Sequence, residues 1–155
     1  MRRIGVIAAA LVLVLIFGAL AVRAANRPRD PIAHSCTATD QSFIHTASVN
    51  VTALGALASE FKTGAVEPQE VAREAFDSAE RVAHVRPRDP SLRQAQTYLG
   101  GMFNEYGAAV ELLGDGEDAS ARMQRAYGLA NFAREVIVEA QPELQRQGCD
   151  VAPLL

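Results

Sequence analysis

The chain has 155 residues, of which 49% are hydrophobic and 21% are charged. That length is enough for one domain and too short for two of ordinary size, and the composition excludes a chain that is disordered throughout. The 15 basic and 18 acidic residues give a net charge of −3, which argues against a protein that coats nucleic acid.

The N-terminus has the parts of a secretory signal peptide. A short basic start is followed by an apolar run over residues 4–22 and then by small residues. We expect a signal peptide over residues 1–21, because Ala19 and Ala21 fit the small-residue site that a signal peptidase recognises. Cleavage is therefore expected after Ala21, with Ala24 as the alternative.

An uncleaved signal anchor is the competing interpretation of the same segment. The apolar run of 19 residues is close to the roughly 20 that cross a bilayer. Cleavage would make the protein secreted, periplasmic or cell-wall-associated, whereas retention would make it a single-pass membrane protein. The basic residues include one lysine, Lys62, and are otherwise arginines, which together with the abundant alanine indicates a GC-rich bacterial genome.

The two cysteines, Cys36 and Cys149, lie near the two ends of the chain that follows the export segment. An even number of cysteines in an exported protein predicts a disulfide bond, and two cysteines allow one intramolecular pairing. A redox or metal-binding thiol pair is the alternative. It has little support, because the sequence contains no C-x-x-C motif and no cluster of histidines.

Residues 22–41 contain prolines and many small polar residues, which is typical of an irregular lead-in. We expect a four-helix domain over residues 42–149 and a tail over 150–155. The first helix is predicted from about Ser42 to Lys62, with Asp40 or Ser42 as its N-cap. Apolar residues recur every three or four positions along it, and they form one face consisting of Ala47, Val51, Leu54, Ala58 and Phe61.

The second helix is predicted from Pro68 to about Val85, because proline suits the first turn and Pro87 ends the pattern. Its apolar face consists of Ala72, Ala75, Phe76, Ala79, Val82 and Ala83. The third helix is predicted to begin at Asp89-Pro90, where a capping residue precedes a proline. Its apolar stripe consists of Leu92, Leu99, Met102, Tyr106, Ala109 and Leu113.

Gly100 and Gly101 interrupt the third helix, and we expect either a close approach of another helix or a bend there. A turn over residues 114–118 leads to the fourth helix, predicted from about Ala119 to Ala140, with Pro142 expected to kink or restart it. The inner face of this helix consists of Met123, Ala126, Ala130, Ala133, Ile137 and Ala140.

The predicted fold class is all-α, because no segment shows the sustained alternation of a strand. Four amphipathic helices joined by short loops predict a small antiparallel four-helix bundle, with two stacked helical hairpins as the alternative. The motif RPRDP occurs at residues 27–31 and again at 86–90. This repeat records either a duplicated hairpin or a coincidence in a chain rich in arginine and proline.

The sequence contains no catalytic motif that we can identify, so we expect a protein that is not an enzyme. Glu80 and His84 are four residues apart on a helix, but two ligands do not make a metal site. His34-Ser35-Cys36 brings a histidine near a thiol, in a segment that is expected to be irregular. Asn50 begins a glycosylation sequon that falls inside a predicted helix, and we discount it.

Three functional interpretations remain. We favour an exported or membrane-tethered helical bundle of the bacterial cell envelope with a binding or structural role. Its partner would be a protein rather than nucleic acid, with no cofactor, and it would meet the membrane only through an uncleaved N-terminus. Four aromatic residues beside the main stripes either line a binding surface or widen the core: Tyr98, Phe103, Tyr127 and Phe132.

The second interpretation is a tetratricopeptide-like interaction module, because Leu99-Gly100 with Phe103, and Ala72 with Phe76 and Ala79, echo small and aromatic positions of that repeat. The third is a small haem- or metal-binding bundle. Met102 and Met123 on inner faces and His45 on the first helix are the residues that would hold haem.

Overall fold

A computed structural model of the chain describes residues 35–155, and no strand occurs in this range. It contains one short 3-10 helix, Ala152–Leu154, and four α-helices: α1 Ala38–Lys62, α2 Pro68–His84, α3 Pro90–Gly114 and α4 Ser120–Arg146. The predicted all-α class is confirmed over this range, and the helices form a four-helix bundle. The expected signal peptide over 1–21, its cleavage sites at Ala21 and Ala24, and the first copy of RPRDP lie outside the described residues.

Each helix packs mainly against its neighbour in the sequence. α1 packs against α2, α2 against α3, and α3 against α4, while the C-terminal 3-10 helix returns to α1. The core combines a few large side chains with many alanines, which lets the helices approach closely, as the alanine-rich faces predicted. Its largest fully buried members are Phe43, Phe103, Leu92, Ile137 and Leu144.

α1 begins at Ala38, four residues before the predicted start, because its N-cap is Thr37. The Thr37 side chain accepts a hydrogen bond from the backbone N–H of Asp40, and the Asp40 carboxylate accepts one from the backbone N–H of Thr37. This reciprocal pair is a capping box, which satisfies two backbone donors that a helix start otherwise leaves unpaired. The prediction of Asp40 or Ser42 as N-cap is therefore wrong.

Asp40 also holds the loop between α2 and α3. Its side chain is 3% exposed, and its Oδ1 accepts hydrogen bonds from the backbone N–H groups of Arg88 at 2.6 Å and Asp89 at 3.0 Å. Its Oδ2 accepts the hydroxyl of Thr37 at 2.6 Å. Burial alone would raise the pKa of Asp40, but the hydrogen bonds from Thr37, Asp89 and Arg88 outweigh it and lower the pKa below its ordinary value.

A polar network that is buried at Asn50 and Ser78 joins α1 to α2. Asn50 is 4% exposed; its amide donates to the carbonyl oxygen of Thr46 at 2.7 Å and accepts from Nε of Arg81 at 2.6 Å. Arg81 also bonds to Glu74 and to the hydroxyl of Ser78. Both ends of the Asn50 amide are thus occupied inside the bundle, which agrees with discounting the sequon at this position.

α3 begins as predicted, with Pro90 in its first turn and the Asp89 carboxylate accepting the backbone N–H groups of Ser91 and Leu92. It runs unbroken through both glycines. A Cβ atom at Gly101 would lie 3.2 Å from Leu129 of α4, so this glycine marks a close helix approach, while a Cβ at Gly100 would meet nothing within 4 Å.

Side chains of α3 and α4 also contact each other through an aromatic pair and two ion pairs. The rings of Tyr98 and Phe132 lie 5.6 Å apart, and Glu105 pairs with both Arg122 and Arg125. α4 continues through Pro142 to Arg146, which is six residues beyond the predicted end at Ala140.

The cysteine pairing predicted from the sequence is the one that the structure contains. Cys36 and Cys149 form a disulfide whose Cα atoms lie 5.2 Å apart, and the backbone N–H of Cys36 donates to the carbonyl oxygen of Gln147 at 2.8 Å. The bond spans 113 residues and ties the start of α1 to the end of α4. Both cysteine sulfurs are in the disulfide, so Cys36 does not offer a free thiol next to His34 in the sequence.

Candidate functional site

An open apolar groove of about 250 Å³ separates α1 from α4. α3 lies between the two helices and contributes Leu99 and Met102, and α1 contributes Val51. The α4 wall consists of Ala130, Ala133, Arg134 and Ile137, and the C-terminal segment supplies Pro153, Leu154 and Leu155. The groove is thus built from three helices and the last residues of the chain.

The groove exists because α1 and α4 pack against different helices and not against each other. α1 packs chiefly against α2, and α4 packs chiefly against α3. The disulfide holds the two helices together at the end where Cys36 and Cys149 lie, and the C-terminal 3-10 helix fills part of the space beside α1. Farther from the disulfide, the apolar stripes of α1 and α4 are left partly uncovered.

Val51 shows this incomplete covering most clearly. The periodicity of α1 predicts it as a core residue, yet its exposed fraction is 42%, and that of Leu155, which also lines the groove, is 43%. Leu99 and Ile137 at the base of the groove are buried. The prediction that Val51 belongs to the core is therefore wrong, because no helix of the described residues covers it fully, and its side chain forms the edge of the groove instead.

Arg134 is the one charged side chain of this lining. Sequence reasoning did not single out Arg134, because an exposed arginine is unremarkable until its neighbours in space are known. It lies four residues after Ala130 and three before Ile137, so all three share one side of α4. Arg134 is an exposed residue, so its guanidinium is accessible to solvent.

The sequence left open whether four aromatic residues line a surface or widen the core, and the structure places some in each position. Phe103 is fully buried, so for this residue the core interpretation is correct. Tyr98 is partly buried against Phe132, which is exposed. Tyr127 is 67% exposed and does not line the groove. For Tyr127 the surface interpretation is therefore correct.

The residues considered for metal and haem binding are dispersed. Nδ1 of His84 is 2.8 Å from the carbonyl oxygen of Glu80, within hydrogen-bond distance along the same helix. Within residues 35–155, no group of three or more histidine, cysteine, aspartate or glutamate side chains is placed to hold a metal ion. Met102 lies in the groove, His45 lines another depression with Gln41 and Asp150, and Met123 lines neither, so the three haem candidates do not share a pocket.

No helix within residues 35–155 is long and apolar enough to cross a membrane.

Comparison of the chain with protein-family models, with curated proteins and with solved structures found no match.

Proposed function

We propose that this protein is an exported or membrane-tethered helical bundle of the bacterial cell envelope that binds a protein partner in the groove between α1 and α4. The proposed role is binding rather than catalysis. The observation that carries it is the partial exposure of an apolar lining from three helices, which includes Val51 and Leu155 at the rim. Exposed apolar surface that forms a concave site is typical of interaction surfaces.

The location in the envelope is supported by two independent features. The N-terminal sequence has a basic start, an apolar run and small residues, which are the parts of an export signal. The Cys36–Cys149 bond is a structural disulfide of the kind that persists in oxidising compartments. Together these features favour a bundle that works outside the cytoplasm.

The export part is tested by the intact mass of the protein purified from the membrane and culture fractions of its own host. A mass that starts at Val22 or Ala25, with a deficit of about two daltons before reduction, is expected for a secreted, disulfide-closed bundle. A full-length mass in the membrane fraction is expected for a tethered one. A full-length protein with free thiols in the soluble fraction would contradict export.

The binding part is tested by photo-cross-linking in intact cells. A photoreactive amino acid replaces Val51 in the groove, and the same amino acid replaces Val49 in a control. Val49 is a well-matched control because it lies on the same helix, is also valine and is 52% exposed, but does not line the groove. We expect a discrete protein adduct from position 51 that is absent from position 49. Equal adducts from both positions, or none from position 51, would refute binding in the groove.

A further inference from the structure

The segment that follows α4 lies in the groove that the proposed function assigns to a partner. Residues 150–155 form a strap that includes the 3-10 helix Ala152–Leu154. Pro153, Leu154 and Leu155 line the groove, and the 3-10 helix packs against α1. The chain therefore places apolar side chains of its own between α1 and α4.

Few interactions hold the strap in this position. Within residues 35–155, no hydrogen bond joins the strap to any of the four α-helices. Its hydrogen bonds are internal: the backbone N–H of Leu154 donates to the carbonyl oxygen of Val151, and that of Ala152 donates to the Asp150 carboxylate. Val151 is fully buried, Leu154 is partly buried, and the other four residues of the strap are exposed. A segment with so few buried contacts opens at a lower free energy than the helices do.

Open space borders the strap on both sides. On one side lies the groove of about 250 Å³, and on the other lies a depression of about 330 Å³, which is lined by residues of α1 and by Gly148, Asp150 and Pro153. Pro153 lines both, so the strap is the wall between them. Without the strap the two would join into one cleft more than twice as large as the groove, within the roughly 300–1,000 Å³ of pockets that enclose ligands.

The disulfide determines where the strap turns. Cys149, the residue before the strap, is 2% exposed and is bonded to Cys36, whose backbone N–H donates to the carbonyl oxygen of Gln147. These contacts fix the chain up to residue 149, and the residues after it have no hydrogen bond to the helices. A hinge directly after Cys149 would therefore let the strap leave while the bundle stays closed.

We infer that the strap is an autoinhibitory segment, which occupies the groove between α1 and α4 and must leave before a partner binds there. This inference rests on the proposed function and adds the regulation of its site. A site that is open for a fraction of the time binds its partner with an affinity reduced by that fraction. Loosening the strap should therefore strengthen binding.

The first test uses the purified full chain with its disulfide intact and the uncharged apolar dye Nile red. Leu154→Asp places a charge in an apolar site and should release the strap, so that dye fluorescence rises at least about threefold. Leu113→Asp is the matched control, because Leu113 is 45% exposed and does not line the groove, and it should bind dye as wild type does. Adding Val51→Lys to Leu154→Asp should remove the gain, which a general loosening of the bundle would not allow. Circular dichroism of each variant checks that the bundle is folded.

Hydrogen exchange of the unmodified protein gives a test that needs no substitution. The backbone amides of Leu154 and Leu155 should exchange while those of α1 are still protected, because the strap opens without the bundle. Protection of the strap equal to that of α1 would overturn the inference, since the strap would then leave only when the whole bundle unfolds.

The effect on partner binding is measured in intact cells with the photoreactive amino acid at position 51. The yield of the partner adduct should rise at least about threefold with Leu154→Asp and stay unchanged with Leu113→Asp. If adducts form but their yield is equal or lower with Leu154→Asp, the strap does not compete with the partner, and the inference is wrong while the groove remains a binding site. If no variant gives an adduct, the proposed function fails and the inference fails with it. If Leu154→Asp binds no more dye than wild type, the strap does not cover the groove, and the inference is overturned whether or not a partner binds.

Discussion

Asp40 is the residue whose replacement tests the architecture most directly, because one carboxylate fixes two parts of the chain. It accepts hydrogen bonds from Thr37 at the start of α1 and from the backbone of Arg88 and Asp89 before α3. Asp40→Asn keeps the shape but replaces one acceptor oxygen by an NH2 group. Whichever way the amide turns, the donors on one side lose their acceptor and remain buried.

The expected cost follows from the hydrogen bonds that are lost. Bonds to a charged group contribute about 1.5–3 kcal/mol, and a buried donor without an acceptor costs about 1–3 kcal/mol. We therefore expect Asp40→Asn to lower the free energy of unfolding by about 2–3 kcal/mol at pH 7. For a domain of this size, the midpoint of thermal unfolding should fall by roughly 10 °C.

The pH dependence gives an independent readout. The pKa of Asp40 is lowered in the folded protein from its ordinary value of 3.8, so its charge stabilises the fold above that value. This contribution is lost as the pH falls through the lower, folded pKa. The difference between wild type and Asp40→Asn should thus be full at pH 6–7 and shrink below about pH 4.

The assay is urea unfolding followed by circular dichroism at several pH values, with the disulfide intact. Asp77→Asn is the control, because Asp77 is an exposed carboxylate on α2. The control should unfold within about 0.5 kcal/mol of wild type. An Asp40→Asn protein as stable as the control at pH 7, or one whose deficit does not change with pH, would refute the role assigned to this carboxylate.

Three further substitutions probe packing, the disulfide and the polar network. Gly107→Ala should destabilise the bundle by about 1–3 kcal/mol, because its Cβ would lie 2.9 Å from Phe76, whereas Gly100→Ala should be neutral or stabilise by up to about 1 kcal/mol; thermal unfolding of the pair compares them. Replacing both disulfide cysteines by serine should lower the free energy of unfolding, measured in urea, by about 4–5 kcal/mol, since the bond closes a loop of 113 residues. A loss below about 1 kcal/mol would contradict the expectation that the bond stabilises the fold by restricting the unfolded chain. Asn50→Ala should cost about 1–3 kcal/mol, because Arg81 loses its buried acceptor, and an unchanged urea midpoint would contradict that role.

The helices could be predicted from local patterns, but their ends depended on contacts that the patterns do not contain. Pro68 and Asp89-Pro90 mark helix starts through their own backbone chemistry, and both were placed correctly. Asp40 was assigned as a cap because of its residue type. Its role three positions inside the helix was signalled by the spacing of Thr37 and Asp40, which fits a capping box.

The groove could not be predicted, because the periodicity of a helix shows which face is apolar and not what covers it. Val51 fits the stripe of α1 as well as Leu54 does, yet Leu54 is buried and Val51 forms an open edge. The difference depends on the separation of α1 and α4, which local sequence does not encode. Arg134 was missed for the same reason.

The disulfide also determines how the protein carries mechanical load. Because Cys36 and Cys149 join the two ends of the bundle, tension applied to the chain before residue 36 and after residue 149 passes through the covalent bond. The helices between them form a side branch that this tension does not stretch. While the bond is intact, a pull on the two flanking segments would leave the contacts of the four helices unstrained, whereas reduction would transfer the same pull to the first turn of α1 and the last turn of α4.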